Sequence, residues 1–222
     1  MAAQPTVRFD PDDVQQRLAE LSLDVDMFVI AAQKALAAYL DTTPNDPPTY
    51  PGTAAWAAAT RALREEGISR RWGRRLDEFN LPMVINDAGT MAIAASSGNK
   101  ETGKPDGFPR TRSAKGSKTV GAVHKNKQLK LEFEDPTPII ESLRVVGRAT
   151  WLFLMFRDFI NREIRYELSR PISMTEEGHV DEWAERLIFP PTPFGDDAPK
   201  VDRSPGGDGQ SPQIIVEIKK LA

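Results

Sequence analysis

The sequence predicts an α+β protein in which an N-terminal helical layer precedes a mainly antiparallel sheet of three to five strands, packed on one long helix at about 138–169. Three observations indicate this fold. Apolar residues recur at spacings of three and four near the N-terminus, short β-like runs follow residue 80, and the richest apolar stripe lies between 151 and 168. At 222 residues the chain can bury a sizeable core.

Two helices are predicted at the start of the chain. Residues 12–23 follow Pro11 and have apolar residues three and four apart, which is typical of a short amphipathic helix. The stretch "DMFVIAAQKALAAYL", which begins at Asp26, has a broader apolar face and predicts a longer helix. The following segment, 41–52, contains four prolines and predicts a linker.

A third helix is predicted after this linker. Thr53 stands in the position of a helix cap, and Gly67 in the position of a helix end. We therefore divide the chain into N-terminal helices at 1–40, a proline-rich linker at 41–52 and a main α+β domain at 53–222. One domain over the whole chain is the alternative division.

The pattern changes to short strands after residue 80. "LPMVIN" and "TMAIAAS" flank Asp87-Ala88-Gly89 and predict a hairpin, and "LKLEFE" at 129–134 alternates as a half-buried strand does. "WAERLIF" and "QIIVEIKKL" predict two later strands. Before these two strands in sequence, apolar residues from Leu152 to Leu168 recur at spacings of one, three and four. This spacing predicts the long helix, which Pro171 ends.

Charge is unevenly distributed along the chain. The net charge is −3, yet residues 61–75 carry a net +4, residues 98–127 carry a net +6, and residues 174–208 are acidic. The absence of cysteine excludes disulfides and thiolate zinc sites. The N-terminus lacks the pattern of a signal peptide, and the most apolar run, at 151–156, is too short to span a bilayer. We expect a soluble, cytoplasmic protein without a membrane partner.

The loop at 97–127 contains an incomplete phosphate-binding motif. Gly98 and Gly103-Lys104 have the spacing of a phosphate-binding loop, in which backbone N–H groups surround the phosphates of a nucleotide. Pro105 stands where the motif needs a hydroxyl, and the Asp-Gly pair that follows it breaks the required helix. The loop therefore favours general phosphate contacts over a specific nucleotide site.

Residues 67–79, "GISRRWGRRLDEF", form a second basic motif. The segment resembles the turn and recognition helix of helix-turn-helix DNA-binding proteins, where a glycine, an apolar residue and a serine begin a basic second helix. This resemblance implies that four outward-facing arginines contact DNA: Arg70, Arg71, Arg74 and Arg75.

Enzyme motifs are weaker. Glu217-x-Lys219 with Asp208 upstream matches the carboxylates and lysine of metal-dependent nucleases, but the same residues also suit an ordinary edge strand. His124 and His179, the two histidines, lack the spacing of a metal site. We predict no catalytic residues, no metal and no cofactor, and we leave enzymatic activity open while favouring its absence.

The resulting hypothesis is a non-enzymatic or accessory nucleic-acid-binding protein of a bacterial type, which uses the basic loop. The alternatives are a nuclease-like or nucleotide-binding enzyme, and a protein-interaction subunit of a larger bacterial complex or a homo-oligomer. The predicted binding residues are basic side chains of the two positive segments: Arg70, Arg71, Arg74, Arg75, Lys100, Lys104, Arg110, Arg112, Lys115, Lys118, Lys125 and Lys127.

Overall fold

A mixed β-sheet forms the middle layer of the protein. The structure is a computed structural model that describes residues 4–72, 74–76, 82–112, 123, 148–175 and 178–194. Seven strands lie in the order β1-β7-β6-β5-β4-β3-β2, and β8 pairs with the beginning of β6. The pairs β1–β7 and β4–β5 are parallel, and the other pairs are antiparallel. The strands are β1 (Thr6–Arg8), β2 (Arg74–Leu76), β3 (Met83–Ile85), β4 (Met91–Ser97), β5 (Ala149–Asp158), β6 (Glu163–Met174), β7 (Val180–Ile188) and β8 (Thr192–Pro193).

Three helices precede most of the sheet in sequence. α1 (Pro11–Glu20) begins at Asp10, whose carboxylate accepts two backbone N–H bonds, and α2 (Val25–Leu40) begins at Asp24, which accepts the Met27 N–H at 3.0 Å. Both predicted helices are therefore confirmed. α3 (Tyr50–Ile68) begins earlier than the predicted cap at Thr53, because Pro51 fits the first turn of a helix, where no N–H partner is needed.

The helices cover one face of the sheet. Phe28 of α2 lies against Phe153 of β5 and stacks on Phe189, with ring centroids 5.3 and 5.0 Å apart. Several small side chains of α2 and α3, such as Ala31 and Ala59, are fully buried and allow close packing in the same core. A second apolar cluster, with Leu152, Leu154 and Trp183, lies on the opposite face.

The predicted fold class is wrong, because the long helix at about 138–169 does not exist in the described residues. Residues 149–158 and 163–174 form the antiparallel strands β5 and β6. Trp151, Phe153 and Met155 face the helices, whereas Leu152 and Leu154 face the other way. A strand buried on both faces is apolar at every position, so spacings of three and four occur in it by default. The sheet is also larger and more mixed than the three to five antiparallel strands predicted.

The predicted recognition helix is wrong as well. α3 ends at Ile68, and the chain turns so that Trp72 is fully buried and its indole donates to the Leu21 carbonyl at 3.1 Å. A Cβ on Gly67 would lie 2.7 Å from the Trp72 carbonyl oxygen, so this tight turn requires the glycine. Residues 74–76 then pair with β3 as a strand.

The remaining predictions have mixed outcomes. The hairpin around Asp87-Ala88-Gly89 is confirmed as β3–β4, and "WAERLIF" is confirmed within β7. The predicted strands at 129–134 and at the C-terminus lie outside the described residues. The division at 41–52 stays a prediction. No helix in the described ranges is both long and apolar enough to cross a bilayer.

Candidate anion-binding site

A cavity lies where the carboxyl ends of the parallel strands β4 and β5 meet the first turn of α3. Ser97 pairs with Met155, which brings the ends of β4 and β5 side by side. Ligand sites in sheets with parallel strands are commonly at this edge, next to helix N-termini. The cavity, called the arginine cavity below, measures about 490 Å³ and is lined by Tyr39, Pro48, Thr49, Pro51, Gly52, Thr53, Trp56, Ser96, Ser97, Arg112 and Arg157.

Arg157 is the buried cation of this cavity. Only 9% of the residue is exposed, and its guanidinium lies 4.5 Å from the centre of the Tyr39 ring. Its Nη1 has no hydrogen-bond partner among the described residues. Burial lowers the pKa of Arg157 below its ordinary value, and the nearby charge of Arg112 lowers it further against the opposing effect of Tyr39. An arginine stays charged even so, and its unmet donor is costly unless an anion binds.

The carboxylate next to Arg157 in sequence does not neutralise it. Asp158 accepts the N–H groups of Ile160 and Asn161 at 3.1 and 3.0 Å, and its second oxygen accepts from Arg165 Nη2 at 3.1 Å. These bonds form the turn between β5 and β6. In the described part of the chain, no ion pair involves Arg157 or Arg112. Within the described ranges, the arginine cavity therefore holds two positive charges without a carboxylate partner.

The N-terminus of α3 adds a third positive element. Thr49 precedes the helix but its side chain makes no capping hydrogen bond, and the first turn contains no acidic residue. A Cβ on Gly52 would have nothing within 4 Å, so the helix backbone at this position borders open space. The first N–H groups of a helix attract anions through their free donors and the helix dipole. Here the Tyr50 N–H is already bonded to a carbonyl and Pro51 has no N–H, so Gly52 supplies the N–H that borders the cavity.

Arg112 reaches the cavity through a folded segment, residues 98–112, called the strap below. The strap leaves β4 at Gly98 and returns to it, because Gly98 bridges to Thr111 and the Arg112 N–H donates to the Ser97 carbonyl at 2.8 Å. Between these ends the strap covers the face of the sheet opposite the helices. The same short stretch of β4 thus fixes both the Ser97 rim of the cavity and Arg112.

A buried ion pair attaches the strap to the sheet. Arg186 of β7 donates from Nε and Nη2 to the two oxygens of Glu167 at 3.0 and 2.7 Å, with side-chain exposures of 2% and 0%. Arg186 also donates to the carbonyls of Gly107 and Lys104 at 2.6 and 3.0 Å. Glu167 in turn accepts the Gly103 N–H at 2.8 Å. Both charges are fully hydrogen-bonded, as burial requires.

This attachment explains the glycines of the incomplete phosphate-binding motif. Gly103 has a φ of +74°, and a Cβ there would lie 2.8 Å from Cβ of Arg165. A Cβ on Gly98 would lie 2.0 Å from the Thr102 hydroxyl oxygen. The Gly103 N–H, which a phosphate loop would direct at its ligand, is bonded to Glu167 instead. Both glycines serve the folding of the strap.

The predicted arginines near α3 lie far from the cavity. Arg70 donates to Asp24 at 2.5 Å and to Glu66 at 3.0 Å, and the hydrogen bond to Asp24 raises its pKa. Arg71 is exposed and lies 3.3 Å from Asp87, before the start of β4, whereas Arg112 lies beside its end. Arg74 and Arg75 are in β2. Through β3 they are aligned with the first half of β4, whereas the strap joins its end at Ser97.

The predicted cations of the basic loop divide into two groups. Lys100 and Lys104 lie in the first half of the strap. The Lys100 carbonyl accepts from Arg165 at 3.0 Å, and Lys104 Nζ lies 3.5 Å from the Glu101 carboxylate. Arg110 and Arg112 are exposed on its returning part. The other four predicted residues lie outside the described residues: Lys115, Lys118, Lys125 and Lys127.

The sequence analysis missed Arg157, Tyr39, Trp56 and the start of α3. One signal was present, since Arg157 directly follows the apolar run 151–156, where a charged side chain must be buried or at an edge. Because that run was assigned to a helix, Arg157 was not recognised as a buried residue near the end of a strand. In the described ranges, no group of three or more acidic or histidine side chains could hold a metal ion. Asp208, Glu217 and Lys219 lie outside those ranges.

Comparison with known proteins gives no relative from which a function could be transferred. No protein-family model matches the chain, and no curated protein and no solved structure matches it.

Proposed function

We propose that this protein binds a ligand that carries a phosphate group, and that the arginine cavity is the binding site. The observation that carries the proposal is Arg157, a buried arginine with an unmet donor and no carboxylate partner in the described chain. Arg112 and the first turn of α3 line the same cavity. Two guanidinium groups and a helix N-terminus together suit a doubly charged oxyanion.

The other lining residues favour a ligand larger than inorganic phosphate. Tyr39 and Trp56 contribute aromatic rings, and Ser97 and Thr53 contribute hydroxyl groups. A cavity of about 490 Å³ is within the range of small-molecule sites. The ligand class that fits is a phosphate monoester with a planar or apolar part, for which the aromatic rings provide a wall.

The hypothesis of nucleic-acid binding through residues 98–127 stays a proposal beside this one. Arg110 and Arg112 support it because both side chains are exposed on the returning part of the strap. The arginines of 70–75 support it less, because Arg70 is engaged by Asp24 and Glu66. Nucleic acid also carries phosphate, so the two proposals share Arg112.

The test is a titration with phenyl phosphate, followed by tryptophan fluorescence. Trp72, Trp151 and Trp183 are buried, whereas Trp56 lines the cavity, so a bound ligand changes mainly the Trp56 emission. We expect saturable binding to the wild type and a loss of about 10- to 100-fold in affinity for Arg157→Met, because hydrogen bonds to charged groups contribute about 1.5–3 kcal/mol each.

Arg71→Met is the matched control. It removes one positive charge at the other end of β4, where the side chain is 83% exposed, so it should bind phenyl phosphate as the wild type does. Trp56→Phe should remove most of the fluorescence change without abolishing binding measured by calorimetry. Equal affinities of wild type and Arg157→Met, or no binding of phenyl phosphate at millimolar concentration, would refute the proposed function.

A further inference from the structure

Three side chains of the strap form a row that leads to the arginine cavity. Phe108, a residue 42% exposed, lies under the guanidinium of Arg110 at 5.9 Å. Arg110 and Arg112 are exposed, and Thr111 between them is buried. Burial alternates along this segment, and its backbone pairs with the end of β4 before and after Thr111. This pattern indicates an extended backbone, so Arg110 and Arg112 lie on the same outer side, with their Cα atoms about 6.6 Å apart. The last residue of the row lines the cavity.

The row has the chemistry of a surface for single-stranded nucleic acid. Such surfaces combine cations that contact successive phosphates with exposed aromatic rings on which bases stack. A guanidinium against an aromatic ring adds a second planar group for stacking. The exposed ring of Phe108 stands here among arginines. A duplex hides its bases from such a ring, so the row favours a single strand.

The size of the cavity limits which part of a strand can enter it. A volume of about 490 Å³ is that of a small-molecule site, so it suits the end of a strand, and Arg157 at its wall is buried and lacks a carboxylate partner in the described chain. A terminal phosphate monoester carries up to two negative charges, whereas an internal phosphodiester carries one. Two arginines with a helix N-terminus therefore favour the end of a strand over its middle.

We propose that the arginine cavity takes the terminal phosphate of a single-stranded nucleic acid between Arg157 and Arg112, while Arg110 and Phe108 hold the adjoining phosphate and base. This inference rests on the proposed function and names its ligand class. It assigns recognition of the end to Arg157 and sequence-independent affinity for the strand to Arg110 and Phe108. The two contributions can be removed separately.

The experiment measures fluorescence anisotropy with short oligothymidylates. Four probes carry a phosphate or a hydroxyl at the 5′ or the 3′ end, with the dye at the opposite end. We expect one phosphorylated probe to bind at least about tenfold more tightly than its hydroxyl counterpart. Arg157→Met should remove this preference, so that phosphate and hydroxyl probes bind the variant with similar affinities.

Substitutions in the row should have the complementary effect. Phe108→Ala should weaken both the phosphate and the hydroxyl probe by a similar factor, about 5- to 100-fold, because stacking does not depend on the end group. Gly52→Phe gives a second way to block the cavity from a position with open space, should Arg157→Met fail to fold. Arg71→Met again serves as the control and should bind all four probes normally.

Three outcomes would overturn the inference. These are equal affinities for phosphate and hydroxyl ends, equal or tighter binding of a duplex, and tighter binding of a phosphotyrosine peptide than of any oligonucleotide. Each of them is compatible with binding of phenyl phosphate to the cavity, so the inference can fail while the proposed function stands. Failure of the phenyl phosphate titration would overturn both.

Discussion

Two buried arginines of the sheet, Arg186 and Arg157, have opposite surroundings. Arg186 donates to both oxygens of Glu167 and to carbonyls of the strap. Arg157 lies against the Tyr39 ring with an unpaired Nη1 and no carboxylate partner in the described chain. A buried charge that the protein satisfies itself stabilises one structure, whereas a buried charge with an unmet donor is poised for a ligand.

The difference follows from the neighbours that each strand provides. Arg186 of β7 reaches Glu167 diagonally across the β6–β7 pair, on the face that the strap covers. Arg157 lies near the end of β5, where Asp158 is engaged by the turn that follows. Arg186 thus attaches the strap to the sheet, whereas Arg157 is a proposed binding group.

The largest expected effect is on folding, from Arg186→Met. Removal of the guanidinium leaves Glu167 buried and charged, and removes the hydrogen bonds to the strap, which should cost about 3–5 kcal/mol of the free energy of unfolding. Urea denaturation measures this loss. The double variant Arg186→Met with Glu167→Leu should recover part of the stability. A loss below about 1 kcal/mol for the single variant would contradict the role of the pair.

The next effect separates binding from stability, through Arg157→Met. The variant should lose about 1.5–3 kcal/mol of binding free energy for phenyl phosphate. Its free energy of unfolding should stay within about 1 kcal/mol of the wild type or rise, because a desolvated donor without a partner is removed. Calorimetry and urea denaturation measure the two quantities. A loss of unfolding free energy as large as that of Arg186→Met would show that Arg157, like Arg186, mainly stabilises the fold.

Asp158 tests whether the neighbouring carboxylate is committed to its turn. Burial alone would raise its pKa, but the hydrogen bonds from Asn161 and Ile160 and the charge of Arg165 outweigh burial and lower it below 3.8. A lowered folded pKa stabilises the protein above the unfolded value, and this contribution is lost as the pH falls through the folded pKa.

Asp158→Asn should therefore cost about 1 kcal/mol at neutral pH and reduce the loss of stability in acid below the ordinary value of 3.8. Urea denaturation over this pH range measures both effects. The affinity for phenyl phosphate should not change, because Asp158 does not pair with Arg157. A clear gain in affinity for Asp158→Asn would show that the carboxylate does neutralise the cavity.

The smallest effect is expected at Gly52, in the first turn of α3. Gly52→Ala should raise the free energy of unfolding by about 0.5–1 kcal/mol, because alanine loses less conformational freedom in a helix and the added methyl meets open space. Thermal unfolding measures the gain. Binding of phenyl phosphate should persist in Gly52→Ala and fail in Gly52→Phe, so unchanged binding in Gly52→Phe would place the ligand elsewhere.

The sequence predicted the local elements better than the layers. α1, α2 and the β3–β4 hairpin follow from periodicity and turn residues, because their signals are local. The stretch 151–168 was misassigned because a strand buried on both faces has no period, and its burial depends on helices and a strap far away in sequence.

The site was predicted only in part for a similar reason. Arg112 was among the predicted binding residues. Its place at the cavity depends on a backbone hydrogen bond to Ser97 and on the attachment of the strap by Arg186 and Glu167, which are distant in sequence. Charge counting cannot distinguish a cation paired by a distant carboxylate, such as Arg70, from one without such a partner. The role proposed for Arg157 depends on its burial, which no local sequence pattern predicts.

The most direct test of the account is crystallographic, with tungstate as a heavy stand-in for phosphate. Crystals of the wild type soaked in tungstate should show an anomalous peak in the arginine cavity, within hydrogen-bond distance of the Arg157 guanidinium, and crystals of Arg157→Met should show none there. An empty cavity in the wild type, with tungstate bound only elsewhere, would contradict the central claim that this cavity is an oxyanion site.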